Sequence, residues 1–189
     1  MNISKAIWGI RCLLYSFFCD ISFPGYIGKP VYISRIKGLH IGRKVRIYPG
    51  LRAEMVLPES SIIIGDNTSI GQNCHFVSYN SKLTIGSNVT VSGNVFISNC
   101  DHEYKNIGVH ILNQSIIGRK TSIDDNCFIG YGSVILAGTK LGKQCIVGSN
   151  SVVRGSFPDY CVIAGNPARI VKKYDENNME WVTQKSGSK

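Results

Sequence analysis

The chain has 189 residues, a net charge of +9 at pH 7, 43% hydrophobic and 17% charged residues, which suits one main domain with an ample core. A charge of that size calls for an anionic partner. No nucleic-acid module is visible and the aromatics do not interleave with the basic residues as a stacking platform, so phosphate-bearing small molecules or lipid-linked saccharides fit better than nucleic acid. Seven cysteines without paired spacing, and no cleavable secretory signature, argue against a disulfide framework and for small core thiols in a reducing cytoplasm.

In chain order, the first two dozen residues, MNISKAIWGIRCLLYSFFCDISFP, are apolar and aromatic but interrupted by Lys5, Arg11 and Asp20. The uninterrupted apolar run is too short to span a bilayer. Two roles are open to such an amphipathic helix, and they are compatible. It covers an open end of the fold, where core and strand edges would otherwise be exposed, or it lies in the inner-membrane interface with Trp8, Leu13, Leu14, Phe17 and Phe18 embedded.

From Ile41 to Val153 an aliphatic residue, usually followed by a small one, returns every sixth position. The beat reads IGRKVR and IYPGLR from 41, IGDNTS and IGQNCH from 64, and IGSNVT and VSGNVF from 85. It then runs through IGRKTS, IDDNCF, IGYGSV, ILAGTK, LGKQCI and VGSNSV from Ile117. That period matches neither a helix nor a long alternating strand. A coil that turns a corner every six residues explains it, with the aliphatic pointing inward and Gly, Asn or Asp at a corner that tolerates positive φ. The fifth position, as in Val45, Thr68, Cys74, Cys127, Ser133 and Cys145, is compact and suits a second inward site. Stacked hexads make a parallel β-helix, stable only as a stack. The beat breaks twice: briefly at Phe76 to Thr84, and from Cys100 to about Ser115, where a loop interrupts the scaffold and function is expected to sit.

These residues resemble the hexapeptide-repeat acyltransferases, which form a left-handed parallel β-helix and include galactoside, maltose and xenobiotic acetyltransferases and the sugar O-acetyltransferases of bacterial lipopolysaccharide (O-antigen), capsule and exopolysaccharide synthesis. Beyond the repeat, NCDHEY at 99–104, the extended loop that follows, and IAGNPARIVKK at 163–173 carry the likeness. It implies an all-β fold with an N-terminal amphipathic or capping segment (1–37), a β-helix acyltransferase domain (38–173) and a short C-terminal tail or helix (174–189). It also implies a homotrimer with each active site between two subunits, acetyl-CoA as donor, a saccharide acceptor and no metal. His102 matches the family's catalytic base, and an imidazole titrates where that task requires. Asn73 is the candidate for binding the acceptor or the oxyanion, although Asn fills that fourth hexad position repeatedly as a corner residue. Gly130, Tyr131, Gly148 and Ser149, at equivalent corners one coil apart, are expected to meet the pantetheine arm. Arg154, Arg169 and Lys172 are expected to meet the phosphates or flank the adenine, with Lys173 as a further donor. At Arg154-Gly155 the family usually has Thr-Lys. His75 is expected to line the cleft near Asn73, and His40 and His110 to be surface or packing residues. A small-molecule or amino-sugar N-acetyltransferase, an acyl carrier protein as donor, and a non-enzymatic β-helix scaffold are the competing readings.

Overall fold

A computed structural model describes residues 3–184. The chain winds a three-sided parallel β-helix. Face one stacks Leu39–Ile41, Ser61–Ile64, Lys82–Ile85, Ser122–Ile123, Lys140–Leu141 and Ser156–Phe157; face two runs from Tyr26–Ile27 through Arg46–Ile47, Ser69–Ile70, Thr90–Val91, Phe128–Ile129 and Ile146–Val147 to Cys161–Gly165. Face three stacks Tyr32–Ile33, Arg52–Met55, His75–Ser78, Phe96–Ser98, Val134–Ile135 and Val152–Val153. Within each face every neighbouring pair is parallel and in register, as in Ile123↔Leu141, Ile129↔Val147 and Ile135↔Val153.

The hexad chemistry explains this winding position by position. Each position-one aliphatic that lies in a coil, from Ile41 to Val153, is at most 4% exposed, and burying such a side chain contributes about 1.5–3 kcal/mol. Position four holds the left-handed backbone: Lys44, Asn67, Asn73, Asn88, Asn94, Asn126, Gln144 and Asn150 have φ between 51° and 62°, and Gly50, Gly132 and Gly138 also have positive φ. Asn and Gly occupy that conformation at least cost. Position five is buried throughout and does more than fill space. The hydroxyls of Thr68 and Ser133 donate to the Gly86 and Gly148 carbonyls at 2.8 and 3.0 Å, and the thiols of Cys74 and Cys127 donate to the Ser92 and Gly142 carbonyls at 3.2 and 3.1 Å. Each of these four groups therefore satisfies a carbonyl of the next coil.

The three edges differ. Corners between faces one and two, and between two and three, are short and repeat the same left-handed turn. The third edge, from face three back to face one, varies in length, with segments at 34–38, 56–60 and 79–81, and with 99–121 as the longest. Both breaks in the beat fall on it.

Three boundaries differ from the sequence expectation. Parallel stacking begins before residue 38, because Tyr26–Ile27 and Tyr32–Ile33 already pair with the coil above, and Ile21 bridges Ile41. The hexad IGRKTS is in step by sequence only: Ile117 pairs antiparallel with Asp101, outside the coils, and the stack resumes at Thr121. The C-terminal segment is an antiparallel hairpin, in place of a tail or short helix. Ala168–Asp175 pairs with the last coil strand and Glu180–Thr183 pairs with it in turn. An open strand edge recruits such pairing, and the Tyr174–Trp181 ring contact at 5.5 Å reinforces it across the strands. The last part of the expected tail, residues 185–189, lies outside the described residues.

The opposite end is covered by the helix α1, Ile3–Ser16. Trp8 packs edge-on or tilted against Tyr48 and Tyr26 at 5.9 and 6.0 Å, Cys12 is buried, and Arg11 donates to the Ile27 carbonyl at 2.8 Å. Among the described residues no helix is long and apolar enough to cross a membrane.

Candidate active site

The long excursion on the third edge leaves and returns as a two-stranded antiparallel ribbon. Cys100–His102 pairs antiparallel with Ile116–Gly118, with His102 opposite Ile116, and Glu103 N–H continues the pairing to the Ser115 carbonyl at 2.8 Å. Asn99 pins the base of this ribbon. Fully buried, it donates to Ser81 Oγ at 3.0 Å, accepts from the Tyr79 N–H at 2.7 Å, and its carbonyl receives the Arg119 N–H at 2.7 Å where the chain returns. Sequence reasoning quoted Asn99 in NCDHEY without giving it this role. The available signal was an Asn at the point where the beat stops, outside the fourth hexad position.

Asp101 and His102, neighbours on this strand, line one cavity but differ in their partners. Asp101 takes Arg154 Nη2 on both carboxylate oxygens at 3.1 Å and lies 3.7 Å from Arg119 Nε, which ties the ribbon to the coil wall. The imidazole of His102 is exposed and has no side-chain hydrogen-bond partner among the described residues. It lines a cavity of about 460 Å³ together with Glu103, Tyr104, Arg119 and Arg154. Two residues back, burial pushes the Cys100 thiol up, although Ser98 opposes the shift. A thiol held protonated is a poor nucleophile.

Arg154 is also a wall of a second, larger concavity of about 820 Å³ between the last coil and the C-terminal hairpin, lined by Phe157, Arg169, Ile170 and Thr183 among others. Two guanidiniums above an apolar floor suit a ligand with phosphates and a flat ring. Arg154 and Arg169 thus join His102 on one edge. Lys172 is exposed further along the hairpin strand, and Lys173 follows it, both outside that lining.

The remaining expected residues lie elsewhere. Gly130, Tyr131, Gly148 and Ser149 sit one coil apart, as their spacing predicts, but on the edge between faces two and three. Gly130 has a packing reason of its own: a Cβ there would meet the Ser149 nitrogen at 2.5 Å. Tyr131 is half exposed, and its hydroxyl accepts from the Asn94 amide. Asn73 is on that same edge at φ 55°, its side chain over Gly50 and its N–H bonded to the Pro49 carbonyl at 3.1 Å. A single chain therefore separates Asn73 and the four corner residues from His102 by the width of face three.

Face three carries a polar group between these edges. Glu54 accepts from His75 Nε2 at 2.9 Å and from Arg52, and His75 packs edge-on against Phe96 at 5.2 Å. Burial works against ionisation of Glu54, but the hydrogen bonds from Arg52 and His75 outweigh it and hold the carboxyl below its ordinary value. Of the other histidines, His40 Nδ1 meets Asp20 at 2.6 Å and His110 accepts from the Leu112 N–H at 3.2 Å. Among the described residues no group of three or more His, Cys, Asp or Glu side chains is placed to hold a metal.

Comparison with known proteins agrees with the repeat and the fold. Residues 120–155 match the family model "Bacterial transferase hexapeptide (six repeats)", and residues 61–99 match "Hexapeptide repeat of succinyl-transferase". A Mycobacterium tuberculosis protein named as an acetyltransferase is 33% identical over 78% of this chain, which spans 49% of that relative's length. An Escherichia coli K12 protein named for O-acetyl transfer in lipopolysaccharide biosynthesis is 31% identical, with 80% of each chain covered. Among solved structures, a Vibrio cholerae hexapeptide-repeat acetyltransferase complexed with acetyl-CoA is 26% identical at TM-score 0.63, covering 74% of this chain and 72% of that one. The Bacillus cereus N-acyltransferase AntD, in complex with dTDP and coenzyme A, shares the fold at TM-score 0.67 and 16% identity, over 82% and 83% of the two chains.

Proposed function

Because this chain belongs to the hexapeptide-repeat acyltransferases, we propose that it transfers the acetyl group of acetyl-CoA to a hydroxyl of a sugar in a bacterial surface polysaccharide or its lipid-linked precursor. The observation that carries this reading is the shared wall at Arg154. Arg154 lines both the histidine cavity and the neighbouring groove that also carries Arg169, an adjacency that suits an acyl thioester bearing distal phosphates. The E. coli relative supplies the acceptor class; the V. cholerae structure supplies the donor.

In this mechanism neutral His102 takes the proton of the acceptor hydroxyl as its oxygen attacks the thioester carbonyl. The tetrahedral intermediate expels the coenzyme A thiolate, and the imidazolium returns its proton to that sulfur. No acyl-enzyme forms, consistent with a Cys100 thiol held protonated. Arg169, Lys172 and Arg154 serve the phosphates, while Arg154 also holds the His102 ribbon through Asp101. Asn73 and the backbone at Gly130, Tyr131, Gly148 and Ser149 enter the site from the neighbouring subunit of a homotrimer, whose packing brings the second edge of one chain against the third edge of the next. The exposed apolar loop residues Tyr104, Ile107 and Leu112 suit contact with that neighbour. The reaction belongs on the cytoplasmic side, where acetyl-CoA is available.

The test is thiol release from acetyl-CoA by the purified protein with a saccharide acceptor, followed by mass spectrometry of the product. An alkali-labile ester is expected. An amide product would move the acceptor to an amino sugar, and an undiminished rate in His102→Ala would remove the base from the mechanism.

A further inference from the structure

The third edge carries another pair of concavities, at the far end of the stack from the cation-lined groove. The segment 30–38 walls both. On one side Val31, Tyr32, Ile33 and Ile36 meet Tyr15 and Phe18 around an apolar hollow of about 540 Å³. On the other, Arg35, Lys37 and His40 meet Glu59, Ser60 and Ser61 around a polar hollow of about 380 Å³. One short stretch of chain thus separates a greasy compartment from a basic one.

The helix beside it is amphipathic in an unusual sense. Trp8, Cys12 and Tyr15 face the body, while Ile3, Ile7, Ile10, Leu14 and Phe17 form a second apolar stripe on the outside, each between 52% and 79% exposed. The spacing of four, three and four keeps Ile3, Ile7, Ile10 and Leu14 on one helix face, with Phe17 just past the helix end. Of the 21 exposed large apolar side chains among the described residues, ten lie between Ile3 and Tyr32, so the patch is a local concentration. Charge points the same way. Residues 1–40 contain five basic side chains (Lys5, Arg11, Lys29, Arg35 and Lys37) against one acid, Asp20, and that acid is paired with His40. The helix itself has no acidic residue.

We propose that this end of the molecule is a docking surface for an anionic lipid bilayer. At 14 residues α1 is too short to cross. It lies flat, with the Ile3 to Phe17 stripe in the acyl region. The apolar hollow accepts a lipid chain, and Arg35 and Lys37 meet the phosphate of its headgroup. Arg35 is held for this by its 2.6 Å bond to the Ser60 carbonyl. The inference deepens the lipid-linked form of the acceptor reading and rests on it for its purpose. A phosphate-linked lipid seated here would present its saccharide along the same edge that carries His102.

Vesicle binding is read without catalysis, so the two readings can fail separately. The full chain is sedimented with vesicles of phosphatidylcholine alone and with vesicles containing phosphatidylglycerol, in low and high salt and with inorganic phosphate as competitor. Binding to the anionic vesicles is expected to be at least tenfold tighter than to neutral ones and to weaken with salt. It should fall at least tenfold in Leu14→Ser/Phe17→Ser and severalfold in Lys37→Gln, with acetyl transfer to a soluble saccharide unchanged in both variants. Equal sedimentation with and without vesicles would overturn the proposal. So would displacement by inorganic phosphate alone, which would make the basic hollow a free-anion site. So would a stripe variant that keeps vesicle binding but lowers the mass by light scattering, which would make the stripe a contact between copies.

Discussion

Two edges of the same prism differ in what they are allowed to vary. The edge between faces two and three repeats one short left-handed corner, with Gly50, Asn73, Asn94, Gly132 and Asn150 as its positive-φ residues. The edge between faces three and one changes length from coil to coil and carries the His102 ribbon, the cation-lined groove and the paired hollows at 30–38. The coils confine variation to a single edge because the other corners are locked by contacts to the coils above and below. Function follows the freedom to insert residues.

Perturbing the two edges should give different signatures. The largest effect is expected for His102→Ala, where transfer falls about 10²–10⁴-fold with an unchanged unfolding midpoint, since the side chain is exposed. A stability loss as large as the rate loss would place His102 in the structural class. Ile129→Ala, beneath the regular edge and fully buried, should do the reverse and cost about 2–5 kcal/mol in urea unfolding. Gly130→Ala should cost about 1–3 kcal/mol, because its Cβ would press on the Ser149 nitrogen and the Val147 carbonyl; wild-type stability would mean that the coils can part at that corner. Asn73→Gly preserves the left-handed turn and should leave stability within about 0.5 kcal/mol, while acetyl transfer should drop about tenfold if Asn73 serves the site of a neighbouring subunit. An unaltered rate would reduce Asn73 to the corner role its backbone already explains.

The smallest expected effect is a pH dependence on face three. Glu54 is held below its ordinary value of 4.5, so the stabilisation it contributes is complete above that value. It is lost as pH falls below 4.5 through the lowered folded value. The stability advantage of the wild type over Glu54→Gln should therefore shrink as pH falls below 4.5. A constant gap would show that Arg52 and His75 do not stabilise the carboxylate in solution.

The contrast between edges also marks where sequence reasoning ends. Positions one, four and five of each hexad have chemically distinct tasks, so the burial of Ile123 or Cys145 and the left-handed turn at Asn126 were readable residue by residue. The assignment of a hexad to a face was not. A shift of six residues carries one face onto the next with the same pattern, and only counting coils through the irregular breaks tells Asn73 from a residue beside His102. The excursion hid its own boundary for a related reason: Ile117-Gly118 imitates a hexad start while pairing as a hairpin. The C-terminal hairpin escaped because its strand character comes from the edge it caps, which is a tertiary property. Asn99 was visible as a letter, but its burial depends on Tyr79 and Ser81 one coil away.

The parallel register of face three has one more consequence. Phe96 pairs with Val134 and Val134 with Val152, so two coil steps of about 4.8 Å each separate the departure of the His102 ribbon from the last coil beneath the cation-lined groove. The stack is a ruler graduated in whole coils. Point substitutions cannot change its reading by a fraction, and an added or deleted coil would move the ribbon one whole graduation from the groove.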